Sequence, residues 1–74
     1  MGRINGWRLV KPYSGTIKTW ERREMEFMVI EKDRDGYYKV VAPQGIRLNI
    51  PFFEDAQRIA VQYMRTGDLY KDIR

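Results

Sequence analysis

The chain has no cysteine and no histidine, and its one serine, Ser14, stands in a turn-like run with Pro12 and Gly15. These absences remove whole classes of chemistry. Without Cys there are no disulfides and no thiolate metal sites. Without His or Cys, nucleophile–base pairs of the Ser-His or Cys-His kind cannot be assembled. Long apolar runs are missing as well: nothing approaches the ~20 apolar residues that span a bilayer. The opening MGRINGWRLV offers no apolar stretch for a signal peptide. Met1-Gly2 begins like a myristoylation site, but Gly6 stands where Ser or Thr is wanted. No glycine-rich phosphate loop is found, because Gly36 and Gly45 are isolated turn glycines. The carboxylates Asp33 and Asp35 fit turn chemistry better than a metal-ligand pair, since calcium-loop spacing is absent. The expectation is a non-enzymatic chain with no cofactor, no metal site and no membrane association, residing in the cytoplasm.

What is there suffices for one small domain, residues 1–74. The chain is 43% hydrophobic and 14% aromatic, enough for a thin core and too much for disorder. A chain of this size buries only ~60% of the surface it exposes when unfolded. The net charge of +4 is uneven. Residues 1–23 hold six basic groups (Arg3, Arg8, Lys11, Lys18, Arg22 and Arg23) against Glu21 alone. Residues 24–74 hold eight basic groups against nine acids. The basic excess therefore belongs to the N-terminal third, which is compatible with a polyanionic partner.

Periodicity divides the chain. Residues 1–20 read as an irregular start followed by an edge hairpin or extended arm, with Trp7 to Val10 and Thr16 to Trp20 as the extended pieces. From residue 24 the alternation is firmer. Met25, Phe27 and Val29 alternate with Glu24, Glu26 and Met28, and Asp35-Gly36 then marks a hairpin. A second strand, residues 37–42, sets Tyr38, Val40 and Ala42 against Tyr37, Lys39 and Val41. After the turn Pro43-Gln44-Gly45, a third strand puts Ile46, Leu48 and Ile50 inward and Arg47 and Asn49 outward. Glu54 and Asp55 open a helix, Ala56, Ile59, Ala60 and Tyr63 form its apolar stripe, and Gly67 caps it. Leu69 and Ile73 would cover the rim of the core. The fold class is α+β: an antiparallel three-stranded sheet, with an extra N-terminal strand or hairpin allowed for, packed on one C-terminal helix in βββα order. Residues 24–66 form its core.

Such a sheet has one face free. Tyr37, Lys39, Arg47 and Asn49 would form a patch on it, with Val41, Met28 and Ile30 adding apolar area and Glu24 and Glu26 at its border. Arg and Asn can read purine edges, and Lys and Tyr reach phosphates. A second candidate is the N-terminal set of Trp7, Tyr13 and Trp20 interleaved with Arg8, Lys11, Lys18, Arg22 and Arg23. One tryptophan is expected in the core.

The run GYYKVVAP-QGIRLNIP-FFEDAQRIAVQYM resembles the end of three-stranded-sheet-plus-helix DNA-binding domains. These are the arm-site domains of tyrosine integrases and the ethylene-response-factor domain of plants, in which a Gly-aromatic-basic strand leads to a helix opened by Phe-x-acidic-x-Ala. Phe52 to Ala56, FFEDA, looks like that opening. The resemblance covers about half the chain and implies that Tyr37, Lys39, Arg47 and Asn49 face bases in the major groove. The acidic first strand departs from that pattern. The outline also resembles small phage proteins that bind a host enzyme such as RNA polymerase. The expected function is a nucleic-acid-binding module for double-stranded DNA. It would use the open face together with Arg8, Lys18, Arg22 and Arg23. The alternative is a protein-interaction module, a phage or mobile-element regulator of a host protein. A homodimer by edge pairing is compatible with both.

Overall fold

Five antiparallel strands run as a single meander, and one helix closes one side of it. This arrangement comes from a computed structural model, which describes residues 5–13, 15–23 and 25–70. Ser14, Glu24 and Ile73, together with Met1, Gly2 and Arg3, lie outside these residues. The strands are β1 (Arg8–Val10), β2 (Lys18–Arg22), β3 (Glu26–Lys32), β4 (Tyr38–Ala42) and β5 (Gly45–Ile50), in that spatial order. The helix α1 (Phe53–Thr66) lies over β3, β4 and β5. The α+β class and the C-terminal helix follow the sequence expectation, while the sheet has five strands rather than three. The added strands are the two extended pieces of the N-terminal segment, β2 pairing with β3 and β1 with β2.

The helix forms where its apolar stripe predicts. Ala56, Ile59, Ala60, Tyr63 and Met64 are buried, and the two alanines let α1 approach the sheet closely. Its acidic first turn faces the positive end of the dipole. At the other end Gly67 takes φ 76° and donates its N–H to the Tyr63 carbonyl, a left-handed cap that glycine adopts without a Cβ penalty. Leu69 is buried beyond the cap, as expected for a rim residue. No helix among the described residues is long and apolar enough to cross a membrane.

The core between sheet and helix holds Trp20, Met28, Ile30, Val40, Ala42 and Ile50 from the strands. Both tryptophans belong to it. Trp7 is 1% exposed, meets Tyr63 edge-on at 6.0 Å between centroids, and carries the Arg22 guanidinium 4.7 Å above its ring. Of the two forms expected for the N-terminal segment, the edge hairpin is the one found, and it is a wall of the core, not an extended arm. Asn5 ties it down by donating from Nδ2 to the carbonyls of Met64 (2.8 Å) and Arg65 (3.2 Å) in the last helical turn.

Two strands present faces opposite to those read from the sequence. On β3, Met28 and Ile30 lie under the helix with no exposure, so Phe27 and Val29 turn outward. Alternation could not decide this, because both faces of Phe27 to Ile30 are apolar. On β5 the cause is a bulge. Tyr38 pairs with Ile50 but Val40 with Arg47, so Leu48 and Asn49 together oppose Lys39. Asn49 takes φ 61° there. The extra residue reverses the parity of the strand before it. Ile50 enters the core, while Ile46 and Leu48 are exposed and Arg47 passes to the helix side.

Candidate functional site: the open face of the sheet

Cross-strand register defines what the uncovered face carries. Val10 pairs with Thr19, Thr19 with Val29, Val29 with Val41, and Val41 with Ile46. One β-branched residue from each strand therefore forms a transverse row across the whole open face. Phe27 lies beside this row, with the Tyr13 ring tilted against it at 5.8 Å between centroids. Tyr13 is brought there by the β1–β2 connection, which the Thr16 side chain braces by donating to the Tyr13 carbonyl and meeting the Thr19 hydroxyl. That connection buries Thr19 completely but leaves much of the row uncovered. Tyr13 is 54% exposed, Ile46 50% and Phe27 37%.

Among the described residues, the charges that the strands carry on this face are paired. Arg8 and Glu21, opposite one another on β1 and β2, meet at 2.7 Å. Lys39 and Glu31, opposite on β4 and β3, meet at 3.3 Å. Exposed pairs of this kind contribute only ~0–1 kcal/mol to stability, yet they leave the face electrically balanced.

The eight residues nominated for nucleic acid are not brought into one patch. Arg8 and Lys39 share the open face but sit on either side of the β-branched row, on β1 and β4, each with its carboxylate. Tyr37 is exposed at the β3–β4 turn, where the Asp33 carboxylate accepts its N–H and that of Asp35. Arg47 is on the helix side and donates to the Leu69 carbonyl. Asn49 occupies the bulge. Lys18 also points to the helix side, donating to Gln57 Oε1 at 2.7 Å with its ammonium 5.7 Å from the Phe53 ring centre. Arg22 lies against Trp7 and is bonded to Glu26 at 2.7 Å. That contact holds the Glu26 carboxyl below the usual carboxylate range and raises the Arg22 guanidinium above its own. Arg23 is exposed in the β2–β3 turn with φ 59°. Met28 and Ile30, expected to add apolar area to the open face, are in the core instead.

Sequence reasoning missed the β-branched row and the Tyr13–Phe27 pair. One signal could have found them: a strand that is apolar on both faces, as Phe27 to Ile30 is, belongs to a sheet with two apolar sides. Among the described residues the two best-formed depressions make poor small-molecule sites. They are shallow, of about 440 Å³ on the outer face of α1 and 290 Å³ beside β5, are open to solvent and lack convergent buried polar groups. Among the described residues no three His, Cys, Asp or Glu side chains gather to hold a metal. Comparison with protein-family models, with curated proteins and with solved structures gave no match, so the open face stands on this chain's residues alone.

Proposed function

We propose that the protein is a non-enzymatic protein-interaction module whose working surface is the open sheet face. One observation carries this reading: the row of Val10, Val29, Val41 and Ile46, covered by the β1–β2 connection only at Thr19 and flanked by the Tyr13–Phe27 pair, is an apolar strip against which no second layer packs among the described residues. Exposed contiguous apolar surface of this kind marks interaction sites rather than chance exposure. Both ion pairs lie beside the strip and satisfy themselves, as the polar rim of an interface does. The nucleic-acid reading draws less support, because Lys18, Arg22 and Arg47 sit on the helix side and the two open-face cations are neutralised.

The test compares two variants of the full chain. Ile46→Lys alters the open face at an exposed position, and Arg58→Glu alters the outer face of α1. Protein association is expected to fall at least tenfold with Ile46→Lys and to survive Arg58→Glu. Duplex DNA binding at low salt that weakens with Arg58→Glu and ignores Ile46→Lys would move the function to nucleic acid and to the other side of the molecule.

A further inference from the structure

We infer that the occupant of the open face is a second copy of this chain, packed sheet to sheet, an inference that rests on the interaction reading above. The physical problem is a missing layer. A sheet must bury its apolar faces against neighbouring layers, and α1 supplies only one of them. The other face runs across five strands, covered at Thr19 by the β1–β2 connection, and every member of its central row is β-branched, the composition of the inner face of a β-sandwich.

Charge selects the partner. A copy brings Arg8 with Glu21 and Lys39 with Glu31 already neutralised, so stacking two faces buries no lone cation against another. Several of the remaining cations are displaced from the contact. Lys18, Arg22 and Arg47 point to the helix side, and Arg58 and Arg65 stand on the outer surface of α1. In a face-to-face pair those charges lie on opposite outer surfaces, separated by two sheets and screened by salt. The net +4 of each copy therefore opposes the association little.

Area sets its strength. Five strands at ~4.8 Å spacing and the five residues from Phe27 to Glu31 at ~3.3 Å each outline a face of at most roughly 400 Å² in projection. Standard interfaces bury ~800 Å² per partner, about twice this area, so this one falls below the standard size, among weak and transient contacts. The dimer is accordingly an exchanging one, with dissociation in the micromolar range and not below. Its symmetry is also fixed. In a two-fold stack the axis passes through the centre of the face, which places Val29, mid-row on the central strand β3, against the Val29 of the second copy.

Sedimentation of the purified full chain from about 1 µM to 1 mM reads the mass directly. The expected result is a shift from 8.9 kDa toward twice that value across this range. Ile46→Lys should weaken the dimer tenfold or more while far-UV circular dichroism stays unchanged, and Arg58→Glu should leave it intact. The absence of cysteine adds a second reading: Val29→Cys should crosslink to its copy through a short bismaleimide, and Arg65→Cys should not. A monomer at every concentration overturns the inference, and so does a dimer that ignores Ile46→Lys or crosslinks better through residue 65. Dissociation in 0.5 M sodium chloride would also overturn it, because an apolar contact does not weaken with salt. Loss of a foreign partner by Ile46→Lys in a monomeric chain would sink the self-pairing but keep the interaction module. A monomeric chain whose open-face variants change no association at all would sink both. Capture of single-stranded oligonucleotide lost by Phe27→Ala would assign the aromatic pair to base stacking instead.

Discussion

Asn49 holds φ at 61°, in the left-handed region that short polar side chains and glycine reach and that β-branched ones do not. It is the residue on which the parity of β5 turns. Asn49→Val should lower unfolding free energy by about 1–2 kcal/mol, whereas Asn49→Gly should change it by a few tenths. Urea denaturation separates the two, and equal effects would mean that the bulge is not seated on this dihedral angle. Glu26 makes a second residue-scale case. Its carboxyl titrates lower in the folded chain because the Arg22 guanidinium donates to it. The unfolded state thus binds more protons around the carboxylate range. Stability from this pair is complete above the unfolded value and disappears as pH falls through the folded one. The difference in melting temperature between the wild type and Glu26→Gln should therefore be present at pH 7 and vanish near pH 2. A difference that persists in acid would assign the effect to packing.

Among the elements, the N-terminal strand pair and the helix depend on each other. Asn5 reaches across to the last turn of α1, and Trp7 lies against Tyr63. Asn5→Ala should cost about 1 kcal/mol, since it leaves the Met64 and Arg65 carbonyls without that donor. Hydrogen exchange should speed up in β1 as well as at the helix end; a change confined to the helix would show that the two elements do not move together. This coupling explains what the sequence could and could not tell. The helix was legible because Ala56, Ile59, Ala60 and Tyr63 repeat at helical spacing between an acidic start and Gly67. β4 was legible because Tyr38, Val40 and Ala42 alternate against Lys39. The strands before β3 were legible only as an edge hairpin or an extended arm, since their short runs lack the clean alternation that would choose between pairing and projecting. The candidate site fared worst. Its four chosen residues relied on strict alternation through Arg47 and Asn49, and a single extra residue cancels that rule.

On the scale of the whole molecule, the two sides of the sheet differ in what they can meet. The helix side gathers Lys18, Arg22, Arg47, Arg58 and Arg65, whereas the described strand residues of the open side are apolar or joined in ion pairs. A domain this small has a margin of only a few kcal/mol, so burial of its second face would add appreciably to it. Self-association should then appear as a melting temperature that rises with protein concentration, a shift absent in Ile46→Lys. The bulge gives this division a genetic reading. A coding sequence one codon shorter, without Asn49, would keep Ile50 under the helix and Ile46 outside by plain alternation. The present length, paired without a bulge, would send Ile46 and Leu48 inward and bring Arg47 and Asn49 to the open side. At the present length, the bulge at Asn49 thus decides whether β5 offers Ile46 and Leu48 or Arg47 to the open side.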